Sequence, residues 1–527
     1  MKQRKCKQYL ILSSAHLGVS EDIIKVYAQV AKFYRAEVYH LGATISEKDA
    51  KSVIKCQRAA VTLTSEIDML AGRKKSERRV ALLEARLETV EAVEQSIVHD
   101  ERSKISSLVD RFGKINLVLA PGLHTPEIRT MKGVTAIDEA LMLSKYMSLS
   151  AVQPSGDRTV SRPVTTNAKG VYKRTGKTSW ISAHPVPSIE TTSKPGLNEA
   201  HKYYTVGALK HVSMPQHSRD FHRIAHMPCA IMVLIDENGE YHAKQLYIDY
   251  EPMRGNYRPI VLDDGMVFSG EGMREVGSDD KATYSTDDHA PHQHAGTLAS
   301  LRMLNTLHKP GTLINGGDAA DFTSVCRHTK NVPGAREGLR LCDDLAALRR
   351  LLDAQANVSS IKRKILIDSN HHEWPAIFVD ENPSLKGTFD WDTLSRTHYP
   401  DWTVMTRDSG ENVIYMFGDY VIRHGDQENL REGEGMSPQG KYMCGHHHRY
   451  NVYRRAVMVG CGAGLGPAYV ANRVTSWISQ VTSLTKYKGV AAVNPKIVLH
   501  DHKNRISRFA YRDRVYEVDF YDLHKVA

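Results

Sequence analysis

Five short polar clusters in the second half of the chain carry residue types that bind metals or move protons. They are Asp287-Asp288-His289, Gly316-Gly317-Asp318, Asn370-His371-His372-Glu373, His424, and Gly445-His446-His447-His448. In an extended segment alternate side chains share a face. Asp287 and His289 would then offer one carboxylate and one imidazole to the same ion. His446 and His448 would offer two imidazoles, with His447 on the opposite side. Asp318 has two carboxylate oxygens and could bridge a pair of ions. The glycines before it allow backbone or ligand to approach closely. Each cluster alone has a bland alternative, a polar turn with solvated histidines. Five in order, each at the end of a predicted strand, point to one site.

The elements that must position these residues are short. Thr312–Asn315, Ile365–Ile367 and Tyr420–Ile422 are apolar runs that read as buried strands. Open α/β sheets gather site residues beyond the carboxyl ends of their strands. Helices are expected through Leu298, Leu301, Leu304 and Leu307, and over 335–352, so successive strands can run parallel. The N-terminal half begins with a strand at Tyr9–Leu12, a helix capped by Ser20, and a strand at Val38–Leu41. His16 in the first connection reads as a loop histidine. Residues 46–112 are helical, with a heptad-like stripe of Val80, Leu83, Leu87, Val90 and Ile97. This arm is either a seam for a homo-oligomer or a stripe packed on the protein's own core. Residues 153–196 are rich in Ser, Thr, Pro and Gly and read as loops. Cys229–Ile235 and Tyr241–Ile248 flank Asp236-Glu237-Asn238-Gly239 and predict a β-hairpin. The expected organisation is an N-terminal α/β domain over 1–210 with a helical arm at 46–112, a β-rich connecting segment over 211–280, and the site-bearing domain over 281–527.

Composition narrows the class. With 527 residues the chain is too long for one ordinary domain, and 41% hydrophobic with 25% charged residues excludes a disordered protein. Lys plus Arg number 70 against 60 Asp plus Glu, a net charge of +10 that favours a polyanion partner. Lys362, Arg363 and Lys364 precede the central strand, and Arg449, Arg454 and Arg455 follow the last histidine cluster. Lys503, Arg505, Arg508, Arg512 and Arg514 interleave with Phe509 and Tyr511, a pattern that can hold phosphates and stack on bases. Seven scattered cysteines make no disulfide framework, so reduced thiols and a cytoplasmic setting are expected. No apolar run approaches the roughly 18 residues of a membrane span, and Tyr9–Leu12 is too short for the core of a signal peptide.

The order Asp-x-His, Gly-Asp, Asn-His, His, Gly-His-x-His resembles the calcineurin-like metallophosphoesterases, which include repair nucleases of the SbcD type and phosphatases. The match covers roughly 281–521. It implies an α/β fold, a four-layer αββα sandwich, in the C-terminal half, with two divalent ions between the sheets. By that resemblance Asp287, His289, Asp318 and His448 would hold one ion, and Asp318, Asn370, His424 and His446 the other. His371 would be the general acid rather than a ligand. Asp, His and Asn donors suit Mn²⁺, Fe or Zn better than Ca²⁺; manganese is the expected ion, with magnesium, iron or zinc as alternatives. Two departures stand out: Ser369 and His372 replace the family's glycine and acid around Asn370-His371, and Gly460-Cys461-Gly462-Ala463-Gly464 replaces an Asn-Pro-Gly turn. More loosely, Thr178–Pro185 and Tyr203–Lys210 resemble DNA-transfer and pre-early proteins of T5-like phages. Together these imply a metal-dependent phosphodiesterase acting on DNA, a nuclease that degrades host DNA. A small-substrate phosphatase, and a non-enzymatic DNA-transfer protein with a structural metal site, are the alternatives.

Overall fold

The computed structural model describes residues 2–13, 19–41, 47–71, 77–119, 126–138, 141–151, 178–184, 186–192, 201–210, 227–326, 333–387, 389, 391–406, 413–426, 429–465 and 476–520. His16 and most of 153–196 lie outside them. The first half contains β1 (Lys2–Arg4), β2 (Cys6–Ser13), β3 (Glu37–Leu41), β4 (Ile115–Leu119), β5 (Val134–Asp138), β6 (Leu141–Ser144), β7 (Met147–Ser150), β8 (Ser179–Ser182), β9 (Ser188–Thr192), β10 (His201–Thr205), β11 (Cys229–Asp236), β12 (Tyr241–Tyr247), β13 (Asp249–Met253), β14 (Asn256–Asp263) and β15 (Met266–Ser269). The second contains β16 (Gly272–Glu275), β17 (Lys281–Ser285), β18 (Thr312–Asn315), β19 (Arg363–Ile367), β20 (Thr403–Met405), β21 (Tyr415–Phe417), β22 (Tyr420–Ile422), β23 (Tyr442–Cys444), β24 (Asn451–Tyr453), β25 (Ala456–Met458), β26 (Gln480–Tyr487), β27 (Val490–Ile497), β28 (Leu499–Asp501), β29 (Ile506–Tyr511) and β30 (Arg514–Asp519).

The sheet that positions the site has the order β20-β19-β18-β17-β26-β27. β17, β18, β19 and β20 run parallel, because helices such as Ala295–His308 and Leu341–Gln355 carry the chain back between them. Alternation sends Ile365 and Ile367 to one face and Leu366 to the other. The first face packs Tyr284, Ile314, Ile365 and Ile367 against Ile422, Met443 and Val457 of a ten-stranded sheet. The second buries Leu313 and Leu366 beneath Leu348, Leu351 and Leu352 of the helix Leu341–Gln355. Each such leucine contributes about 1.5–3 kcal/mol of burial. On the far side of the ten-stranded sheet, Leu430 of the helix Leu430–Gly435 packs on Val421, Tyr442 and Met458. The C-terminal half is therefore an αββα sandwich of four layers.

The N-terminal half departs from the expected division. β11 and β12 lie within 211–280, yet they complete the sheet β5-β4-β3-β2-β11-β12, so this segment is not a separate connector. The apolar β11 pairs with β2 far upstream in sequence, a partnership no local pattern reveals. β8 and β9 fall inside the stretch read as loops; four or five Ser- and Thr-rich residues carry too little alternation to announce a strand. The arm is a hairpin of the helices Glu47–Leu70 and Glu77–Phe112. Leu83 is buried, and Gln57 Nε2 donates to Glu94 Oε1 across the pair at 2.8 Å. Ile105 and Leu108 root the arm in the core beside Ile23 and Tyr27. Val61, Met69 and Leu82 remain exposed. Among the described residues no helix is long and apolar enough to cross a membrane.

Candidate metal centre

The eight residues singled out above converge beyond the carboxyl ends of β17, β18, β19, β22 and β23. Asp287 and His289 follow β17, but not as an extended strand. Their φ values are 51° and 50°, and those of Asp318, His446 and His448 are 45°, 67° and 56°. Strand alternation thus predicted the shared faces for the wrong reason: left-handed backbone turns aim these side chains. Side-chain-bearing residues rarely adopt that conformation, and where they do the surrounding structure must hold them. Here it does. Asp287 N donates to Gly317 O at 3.0 Å, His289 N to Asp318 O at 2.8 Å, and His446 N to Asp287 Oδ1 at 2.9 Å. Gly445 is needed for this approach, since a Cβ there would lie 2.4 Å from Asp287 Oδ2.

Asp318 stands between two groups of donors, reaching the first through His289, with which His371 also groups, and belonging to the second with His424 and His446. In one, His289 Nε2 lies 3.2 Å from His448 Nε2, His448 Nε2 lies 3.3 Å from Asp287 Oδ1, and His289 Nε2 lies 3.9 Å from Asp318 Oδ2. In the other, His424 Nε2 is 3.2 Å from Asp318 Oδ2, 2.9 Å from Asn370 Oδ1 and 3.3 Å from His446 Nδ1. Asp287, Asp318, His289, His424 and His448 are buried. Burial opposes charge on Asp318, but His424, His371 and His289 outweigh it and hold the carboxyl well below its ordinary range. Burial likewise opposes charge on His424, and Asp318 beside it overrides that and lifts the imidazole to about 9. Burial, then the neighbouring His424, pushes His446 down.

The residues fit divalent cations. Carboxylate, imidazole and amide oxygen are donors that first-row metals accept. The far nitrogens of His289 and His424 are already oriented as ligating histidines require. His289 Nδ1 sits 3.1 Å from Asp321 Oδ1, and His424 Nδ1 sits 3.1 Å from Gly316 O, which leaves both Nε2 atoms facing Asp318.

His371 stands beside this cluster. Its Nδ1 is 3.2 Å from Asp321 O, its Nε2 is 3.8 Å from Asp318 Oδ2, and its ring lies on Trp374 with centroids 4.0 Å apart. Burial lowers its affinity for a proton and Asp318 opposes that. Ser369 accepts from Asp318 N through Oγ at 2.8 Å and so supports the turn. Asp321 escaped the sequence reading; its place three residues after Asp318 was the available signal. Asp288 also acts here, fixed by Ser285 Oγ at 3.0 Å, Asn315 Nδ2 at 3.0 Å and Gln355 Nε2 at 2.9 Å. A Cβ on Gly462 would lie 1.9 Å from Asp288 Oδ1, which accounts for a glycine at this position.

The remaining histidines do other work. His372 is buried and stacks on Trp391, His294 caps the helix Ala295–His308, and His292 and His447 are exposed. Several basic residues expected to meet a polyanion are occupied elsewhere. Arg455 is buried against Asp249, Arg508 pairs with Glu517 and Glu240, and Arg512 pairs with Glu275. Lys362, Arg363 and Lys364 lie at the start of β19, the end away from the cluster.

No family profile matches the sequence, and no curated protein matches it. Among solved structures, Vacuolar Protein Sorting 29 from Cryptosporidium parvum aligns at 9% identity with a TM-score of 0.25, over 50% of this chain and 99% of that one.

Proposed function

We propose that the chain is a two-metal phosphodiesterase that cleaves DNA. The observation that carries this reading is the arrangement around Asp318: this buried carboxylate groups with His424 and His446 on one side and with His289 and His371 on the other, and His289 groups in turn with Asp287 and His448. Asp287, His289 and His448 would hold one ion with Asp318, and Asn370, His424 and His446 the other. Bound there, divalent ions would supply Lewis acidity toward a phosphate and a water of lowered pKa. The protein's own groups do the rest. Asp321 and Trp374 fix the His371 ring, so that protonated His371 presents its Nε2 proton to the departing oxygen. Asp321 and Gly316 O hold the outer nitrogens of His289 and His424. DNA as substrate is supported by the +10 charge and by the exposure of His447 and Arg449, the sequence neighbours of His448, whose ring carries half-buried Trp477 at 4.1 Å.

A small-ester substrate is the second reading, favoured by the pairing of Arg455, Arg508 and Arg512 with acids. The deciding experiment incubates the protein with linear and circular duplex DNA, single strands and a small phosphodiester, each with Mn²⁺, Mg²⁺ or chelator. DNA cleavage with Mn²⁺ is expected, with affinity that falls steeply with salt as phosphate counterions are released. Efficient turnover of the small ester while every DNA survives, with binding indifferent to salt, would replace the nuclease reading with the second one.

A further inference from the structure

The two halves of the chain repeat one another strand for strand. The order β5-β4-β3-β2-β11-β12 matches β20-β19-β18-β17-β26-β27, with parallel and antiparallel pairings in the same places. The ten-stranded sheet is two such series, β6-β7-β8-β10-β9 and β21-β22-β23-β25-β24, joined where β9 meets β24 antiparallel. The helices that follow β2 and β17 both have 14 residues and both end in a left-handed residue, Arg35 with φ 51° and Lys309 with φ 52°. An isolated parallel bridge, Ala208 to Pro228, recurs as Cys461 to Ser479. The short leading strands are exchanged: β1 completes the sheet of β28, β29 and β30, and β16 completes that of β13, β14 and β15. Carried along the registers, Val452 and Ile189 are equivalent residues, and they pair with each other at the junction. A pseudo-two-fold axis passes there.

We propose that the protein is a covalent pseudo-dimer of two copies of one α/β unit, in which only the second copy holds a metal centre and the first is its non-catalytic partner. The same registers set Ala151 at the place of His424, His184 at that of His446 and Val186 at that of His448. In sequence, Ser14 stands for Asp287, Ala43 for the shared Asp318 and Pro121 for Asn370. Of the seven donors His16 and His184 alone are retained, and both carboxylates are gone. Ala151 and Val186 are buried apolar groups where the second copy has imidazoles. β7, β8 and β10 run opposite to β22, β23 and β25, so the first copy's equivalent strand ends open at the other edge of the shared sheet. The interface between the copies is continuous: one sheet and two exchanged strands join them.

This inference rests on the metal reading of the C-terminal cluster, and one experiment separates the two. The full-length protein is loaded with Mn²⁺, freed of excess and measured for ions per chain, alongside His446→Ala and the equivalent His184→Ala, with phosphodiester turnover read in parallel. Two ions per chain are expected, with His184→Ala retaining both and keeping wild-type turnover while His446→Ala loses at least one. Four ions per chain, or metal lost through His184→Ala, overturns the one-centre pseudo-dimer and leaves the C-terminal site standing. No bound ion in the wild type removes the metal reading, and this inference with it.

Discussion

His289 and His448 face each other through their Nε2 atoms at 3.2 Å, one delivered by the loop after β17 and the other by the turn after β23. Two neutral acceptor nitrogens at that distance repel unless a proton or a cation lies between them. Asp287 and Asp318 flank the pair, which makes a shared cation the natural occupant. His289→Ala should remove one ion and leave the group of Asn370, His424 and His446 able to bind the other. Elemental analysis checks this: retention of the full metal complement would exclude His289 as a ligand.

His371→Ala should keep the metal content near wild type and lower turnover by roughly 10²–10⁴-fold, the usual cost of removing a general acid. A substrate with a very good leaving group should suffer less. Loss of metal in the same variant would make His371 a ligand, and its Nε2, 3.8 Å from Asp318 Oδ2, would have to be reassigned.

Asp321→Asn tests a positioning residue. It should lower metal affinity or turnover by roughly 10–100-fold, as removal of a carboxylate behind a ligating histidine generally does. Because Asp321 touches both His289 and His371, metal affinity and kcat should fall together. Unchanged metal affinity and turnover in this variant would show that the backbone carbonyl of Asp321 alone orients His371.

Much of the candidate site is legible in the sequence because each motif interrupts an apolar run with ligand-type residues. Ile365–Ile367 ending in Asp368, Ser369, Asn370 and His371 is the clearest case. What stayed hidden depends on distant partners. The left-handed turns at Asp287 and His448 are held by Gly317 O, Gly445 and the loop around Gly462. Arg455 reads as a surface cation in sequence, and its burial depends on Asp249, some two hundred residues away in the chain. β8 and β9 are too short and polar to be recognised, so the sheet that unites the two halves could not be foreseen.

The arm separates two expectations. Leu83 is buried within it, so Leu83→Asp should lower thermal stability without changing mass. Val61, Met69 and Leu82 point outward, so charged replacements there should reduce the mass in light scattering if two chains associate along the arm. An unchanged mass for the outward set would remove the arm as a seam.

Asp264 anchors a buried network: Lys244 Nζ lies 3.0 Å from it, Lys496 Nζ 2.6 Å, and Ser483 Oγ donates at 2.7 Å. Asp264→Asn should cost about 3–5 kcal/mol by leaving buried ammonium groups short of a counter-charge. Burial opposes the charged carboxyl, yet Lys244 and Lys496 outweigh it and hold its folded-state value below the unfolded one. Its stabilisation is therefore present above the ordinary carboxylate range, about pH 4, and fades as pH falls toward the folded value. Denaturant titrations of both proteins from neutral to acid pH should converge; a constant gap would refute the linkage.

The most direct test of the central claim is anomalous diffraction at the manganese edge from crystals grown with Mn²⁺. Two peaks are expected flanking the Asp318 carboxylate, one among Asp287, His289 and His448 and the other among Asn370, His424 and His446, with both lost in Asp318→Asn. A single peak, no peak, or a peak held by His371 in place of these donors would contradict that claim.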